Sequence, residues 1–339
     1  MISRNQRINA FIKLGNFLAA TENTEYLQDL ATAAYRKNNW FTPENVLESL
    51  HAISQKFLSE ENLVNWANQY PETTSRLKVG VIMAGNIPAV GFHDALSVLI
   101  SGHILWAKPS SDDPVIIQSL LQKLIEIEPG MAEQILFVDR LNDSDAYIAT
   151  GSDNTARYFH YYFSKKPNII RKNRTSLAVL TGSESDEELY ALGKDILQYY
   201  GLGCRNVSKL MVPQGYDFTK FFIAIQSLDT LYLNHHKYFN NYEYNKSILL
   251  VNRVLHYDNG FLMLTESPAP VSPISVVHYE MYENIEQVKE YLLENSEKIQ
   301  CVVSSADALT GTVPFGKTQE PALSDFADNV DTMAFLTAL

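Results

Sequence analysis

Apolar positions are spaced differently in the first 70 residues and in the rest of the chain. From residue 3 to residue 70 they recur at helical intervals: Val46, Leu47, Leu50, Ile53, Phe57 and Leu58 repeat at helical spacing, and Thr42-Pro43-Glu44 supplies an N-cap followed by proline at the first helical position. The spacing predicts a helical preface. After Pro71 the pattern changes to short apolar runs: Val79-Gly80-Val81-Ile82-Met83, Ile104-Leu105-Trp106-Ala107, Ile135-Leu136-Phe137-Val138 and Ala146-Tyr147-Ile148-Ala149. Helical stretches such as 114–126 and 154–163 separate them. Strands alternating with helices at this spacing predict a parallel, doubly wound sheet with ligands beyond the carboxyl ends of its strands. A second α/β unit follows, with strands expected at 177–180, 207–212, 274–277 and 301–304 and helices around 186–200, 217–227 and 282–294. The boundary falls near Thr175, giving a helical preface with a Rossmann-like domain over 1–174 and a second domain over 175–339. Residues 234–245, rich in Asn, His and Tyr, read as a polar helix or loop.

Candidate chemistry gathers where strands end. Met83-Ala84-Gly85-Asn86-Ile87-Pro88 leaves a buried strand for a turn, where an Asn86 amide N–H can face a pocket and stabilise an oxyanion; taken alone, Asn-x-Pro is a common turn. The next strand ends in Lys108-Pro109-Ser110-Ser111 and a later one in Thr150-Gly151-Ser152 ahead of a helix, where small residues let phosphate approach backbone N–H groups. Tyr200-Gly201-Leu202-Gly203-Cys204-Arg205 is a helix stop followed by a cysteine and a strand. A thiol flanked by glycine and arginine is accessible and electropositive, which favours thiolate, although a small core hydrophobe reads the same way. Cys301 reads as a buried strand residue.

Composition narrows the class. The chain has 339 residues, 46% hydrophobic and 19% charged, enough for two cores and too apolar for a long disordered region. There is no run of about 18 apolar residues and no signal-peptide pattern, so no membrane span is expected and the protein is read as cytoplasmic. Two cysteines without a CxxC pair or a His/Cys cluster exclude a disulfide framework and a zinc site, so no metal is assigned. A net charge of -12 disfavours nucleic acid and anionic lipid. Against that balance, residues 154–183 hold no carboxylate but contain Arg157, Lys165, Lys166, Arg171, Lys172 and Arg174. The stretch reads either as a solvated surface or as a landing site for a phosphate-bearing small molecule.

In order and approximate spacing, Gly85-Asn86-Ile87-Pro88, Lys108-Pro109-Ser110, Thr150-Gly151-Ser152, Gly203-Cys204 and Glu266-Ser267-Pro268-Ala269-Pro270 resemble the motif set of the aldehyde-dehydrogenase superfamily across residues 79–316. The wording AGNIPAVGFHDAL, QYYGLGCRNVSKL and DFADNVDTMAFL is similar to the acyl-CoA reductases related to the reductase subunit of bacterial bioluminescence, in a chain shorter than its relatives mainly after residue 305. The resemblance implies an aldehyde-dehydrogenase-like α/β fold, with a Rossmann-like cofactor domain and an α/β catalytic domain. It implies Cys204 as nucleophile and Asn86 as oxyanion donor. Lys108 and Ser110 match the cofactor ribose site, Thr150, Gly151 and Ser152 the segment beside pyrophosphate and nicotinamide, and Glu266 the carboxylate on the nicotinamide ribose. Pro314-Phe315-Gly316 is similar to the family's closing loop. Two departures matter. Where hydrolytic members carry a general-base glutamate before the cysteine, this chain has Arg171-Lys172-Asn173-Arg174, the first of them 33 residues ahead of Cys204. Where many NAD-specific members carry glutamate after Lys-Pro-Ser, it has Ser111, which implies NADPH, with NADH as the alternate. The expected activity is reduction of an acyl thioester such as acyl-CoA to aldehyde by a homodimer. An acyl-phosphate reductase and a non-catalytic nucleotide-binding subunit of a fatty-acyl complex are the other readings. His93, His235 and His236 receive no role.

Overall fold

The computed structural model describes residues 2–339 and divides the chain into two units, one of residues up to Asn173 together with Pro321–Leu339, the other Arg174–Glu320. In the first unit the preface is helical: Arg4–Ala19, Thr24–Lys37, Pro43–Ala52 and Glu60–Ala67, with a wider π turn at Ile53–Phe57. Thr42 Oγ1 accepts from the Asn45 N–H with Pro43 at the first position, the cap that the sequence predicts. Val46, Leu50, Ile53 and Leu58 are all buried in the core of this unit.

That unit's sheet has β1 (Lys78–Ile82), β2 (Ile104–Lys108), β3 (Ile135–Phe137), β4 (Ala146–Thr150) and β5 (Asn168–Arg171), in the order β3-β2-β1-β4-β5 and parallel throughout. Val79, Val81, Leu105, Ala107 and Ile148 are wholly buried, because helices cover both faces of such a sheet and its strands read as unbroken apolar runs. Strand β5 hides within the basic stretch, where its charges mask the apolar alternation. Residues 321–339, expected with the second domain, belong to the first: Leu323, Phe326, Met333 and Leu336 enter its core, and the helix Thr332–Thr337 packs on the helix Phe92–Ser101.

The second unit holds β6 (Thr175–Val179), β7 (Val207–Pro213), β8 (His256–Asp258), β9 (Met263–Glu266), β10 (Val276–Tyr282) and β11 (Ile299–Val303), ordered β11-β6-β7-β10-β9-β8, with only β8 antiparallel. β10 starts later than the apolar run suggests, because Pro273 lacks an N–H and Ser275 sits at φ 65. The Asn/His/Tyr-rich stretch is the start of the helix His236–Val251. Among the described residues no helix is long and apolar enough to cross a membrane, and no His/Cys/Asp/Glu group is placed to hold a metal ion.

Candidate active site

In the first unit the candidate cofactor residues share one edge. Ile82 pairs in register with Lys108 on one side and with Ala149 on the other, so the loops bearing Asn86, Lys108-Pro109-Ser110-Ser111 and Thr150-Gly151-Ser152 leave the sheet at the same level. The strand order reverses between β1 and β4, so the chain departs toward opposite faces there and opens a crevice at the carboxyl ends. A Cβ on Gly85 would lie 2.5 Å from Ser110 Cβ, so only glycine lets the Asn86 loop close on the Lys108 loop. Asp113 completes that closure: its Oδ2 accepts the Ala89 N–H at 2.7 Å and its Oδ1 that of Ile116 at 3.3 Å. Ala89 is left-handed at φ 58, and burial pushes the Asp113 carboxyl up to about 6. Asp113 is absent from the sequence-based site, where its signal is only that of an N-cap before Pro114. On the far side of the crevice, Ser152 Oγ accepts the Thr155 N–H and opens the helix Asp153–Phe163. A Cβ on Gly151 would meet Thr155 and Phe159 at 3.0 Å. A helix N-terminus, a closely packed Gly151 and an exposed Lys108 fit the phosphates of a dinucleotide.

In the second unit Cys204 is partly exposed and lies between the helix Asp186–Leu197 and the amino end of β7. Its turn is clamped at several points. Asn206 Oδ1 accepts the Gly203 N–H at 2.8 Å, while Asn206 Nδ2 donates to the carbonyls of Asp195, Ile196 and Gln198 at the helix end. Ser176 Oγ donates to the Cys204 carbonyl at 3.0 Å. Ahead of the cysteine, Tyr199, Tyr200 and Gly201 are successively left-handed at φ 50, 61 and 74. Such conformations cost on the order of 1–3 kcal/mol for each non-glycine residue. They are held by burial of both tyrosines and by His235, whose ring stacks on Tyr200 at 4.0 Å and whose Nδ1 accepts the Tyr238 N–H. A hollow of roughly 30 Å³ behind the turn, lined in part by Tyr200, Tyr238, Pro273 and Ile274, has about one water's volume and is too small for an acyl chain.

Register and packing bear on three of the sequence-based readings. Glu266 is the last residue of β9; it pairs with Tyr279 and, through it, lies level with Leu210, midway along β7, whereas Cys204 precedes the amino end of that strand. After Glu266 the chain is tied down by the buried Lys209, whose ammonium donates to the Ser267 and Pro268 carbonyls and to Glu280 Oε2, and it then returns to deliver Ser272-Pro273-Ile274 to the cysteine's end. Second, the basic stretch is not one phosphate site. Arg171 is 3% exposed, bonded to Asp94 at 2.6 Å and to Thr332 Oγ1 at 2.8 Å; Lys166 donates to the Ser144 carbonyl, and Arg174 to the carbonyls of Ser296 and Ile299. Arg157, Lys165 and Lys172 are exposed. Third, counting back from Cys204 reaches β5 of the first unit; of the two strands beside β7, β6 is Thr-Ser-Leu-Ala-Val, buried throughout and without a carboxylate, and β10 carries Glu280, which is engaged by Lys209. Cys301, half-buried, sits on β11 with its Sγ 3.1 Å from the same Ser176 hydroxyl. Asn206, Asp195 and Ser176 lie outside the sequence-based site, since a short polar residue between apolar neighbours carries no mark of its partner.

Among curated protein sequences none matches the chain significantly. Solved structures of similar fold include aldehyde dehydrogenase 21 from Physcomitrella patens in complex with the reaction product succinate: TM-score 0.67, 12% identity, covering 99% of this chain and 84% of that one. The NAD+ complex of an aldehyde dehydrogenase from Bacillus cereus gives TM-score 0.63 and 13% identity over 90% of this chain and 72% of that one. A Mycobacterium tuberculosis aldehyde dehydrogenase complexed with NAD+ gives 0.64 and 14% over 89% and 73%. These likenesses establish an aldehyde-dehydrogenase-like fold. Residues 13–219, more than half of the sequence, match the model of the acyl-CoA reductase (LuxC) family, and the chain belongs to that family of oxidoreductases.

Proposed function

We propose that the protein reduces an acyl thioester, acyl-CoA in the first instance, to aldehyde with NADPH through an acyl-enzyme on Cys204. The Cys204 thiolate attacks the thioester carbonyl, and its own backbone N–H with the Asn86 amide hold the oxyanion until the carrier thiol leaves. Lys108, Ser110, Ser111, Thr150, Gly151 and Ser152 hold the dinucleotide, which when bound supplies the hydride. Collapse of the resulting thiohemiacetal releases aldehyde and returns the thiolate. Glu266 is assigned to the nicotinamide ribose of that dinucleotide, and the exposure of its side chain supports this.

The observation that carries this reading is a partly exposed cysteine, fixed in a clamped turn, with no carboxylate on β6 and the Glu280 carboxylate of β10 engaged by Lys209. Water attack on an acyl-enzyme requires a base, and a placed carboxylate is worth about a hundred- to ten-thousandfold in such a step. The acyl group therefore leaves as aldehyde or returns to a thiol. A homodimer is part of the proposal: the edge strand β8 follows Val251 and Leu255, 82% and 91% exposed, a surface suited to a second copy. The test is to supply labelled acyl-CoA without reductant and follow the adduct by mass spectrometry. A persistent adduct on Cys204, absent from Cys204→Ala and discharged by NADPH or CoA, is expected. Label on another residue, or prompt appearance of free acid, refutes the reading.

A further inference from the structure

Asp195 is 1% exposed, near the end of the helix Asp186–Leu197 that leads into the cysteine turn, and both of its oxygens are occupied by one loop. Its Oδ2 accepts the Gly316 N–H at 2.6 Å, and its Oδ1 accepts the Thr318 N–H at 3.1 Å and the Thr318 hydroxyl at 2.8 Å. Thr318 is itself wholly buried. Gly316 is left-handed at φ 78, and a Cβ there would come 3.0 Å from Ala191 Cβ, one turn earlier on the same helix. The loop is thus seated on this helix at two points. At the opposite pole of the same residue, the Asp195 carbonyl accepts from Asn206 Nδ2 at 3.1 Å, and Asn206 in turn grips the Gly203 N–H beside Cys204.

We infer that Asp195 is a positioning residue that locks the Pro314-Phe315-Gly316 loop and the Cys204 turn into one geometry, an inference that rests on Cys204 being the nucleophile. An ionised carboxylate accepts hydrogen bonds and donates none, so it satisfies three converging donors at once. Its amide isostere turns an N–H group toward one of them. A buried carboxylate is costly to desolvate and is retained only when fully bonded. Burial pushes this carboxyl up while the Gly316 and Thr318 bonds pull it down, so the ion depends on the loop being seated. Cys204 is tied in turn to the end of the helix that carries the loop.

The test uses the full chain and two readouts: the rate of acyl transfer from acyl-CoA to Cys204, counted per folded molecule, and hydrogen exchange of peptides covering 199–206 and 312–318. Asp195→Asn is expected to slow acylation roughly ten- to a hundredfold, the scale of a misplacement near 1 Å. It should speed exchange in both peptides while leaving the helix Ile285–Glu294 unchanged. Thr318→Val, which removes one of three donors, should give a smaller change in the same two peptides and keeps the test decisive should Asp195→Asn fold poorly. Faster exchange confined to 312–318, or unchanged acylation of Cys204, overturns the inference. Failure of the unaltered enzyme to acylate Cys204 overturns the nucleophile assignment instead, and the paired exchange then decides the coupling by itself.

Discussion

Arg171→Met separates a structural arginine from a substrate-binding one. The guanidinium is 3% exposed and holds Asp94 on the helix Phe92–Ser101 and Thr332 at the start of the C-terminal helix, so three elements of the first unit meet at one cation. Removing it leaves the Asp94 carboxylate, 6% exposed, without its counter-charge. Breaking a buried pair from one side costs about 3–5 kcal/mol. A unit of this size loses about 2–4 °C of melting temperature per kcal/mol, so a fall of about 6–20 °C is expected. Adding Asp94→Leu removes the stranded charge, and the double variant should recover a large part of that loss, since an apolar pair of similar volume is often neutral against a buried ion pair. Thermal unfolding of the two single variants and the double variant gives the coupling energy. Steady-state assays below the new melting point should show the KM for acyl-CoA within about twofold of the unaltered enzyme, because the guanidinium reaches no solvent-borne phosphate. A raised KM with an unchanged melting temperature refutes the argument and restores Arg171 to the substrate.

Asn86→Ala should lower kcat by about a hundred- to a thousandfold while the dissociation constant for NADPH, measured by fluorescence, stays nearly constant, because an oxyanion donor acts where charge develops; unchanged turnover returns Asn86 to the role of a turn former. Ser111→Glu should shift the ratio of kcat/KM from NADPH toward NADH by about ten- to a hundredfold through repulsion of a 2′-phosphate, and the exposed Asp112 beside it is the residue to suspect if NADH is already preferred. Stability should fall as pH drops below about 6.5: burial lowers the His103 pKa, its ring accepts the Leu77 N–H and donates to the Leu336 carbonyl, so the unfolded chain takes up the proton first. His103→Gln should flatten that part of the melting temperature against pH, and an unaltered slope would place the titration elsewhere.

The sequence by itself determined the α/β class, the helical preface, the succession of strand ends that carry Asn86, Lys108 and Thr150-Gly151-Ser152, and the helix stop ahead of Cys204. These are local quantities: the period of apolar positions, a cap, a glycine at a turn. Glu266 shows the limit, since Glu-Ser-Pro-Ala-Pro names a motif but not its register in the sheet; strand pairing sets Glu266 level with Leu210, and Lys209 grips the chain that follows. A run of cations looks uniform along the chain, yet Arg171 finds Asp94 across 77 positions and is withdrawn from solvent, while Lys172 next to it stays exposed. The C-terminal segment reads as a continuation of the second domain and becomes part of the first, because burial of Met333 and Leu336 against the helix Phe92–Ser101 rewards contact in space without regard to position in the chain. Asp113, Asn206 and Asp195 are single polar residues whose meaning lies in backbone N–H and carbonyl groups brought to them by folding, which only the tertiary structure decides.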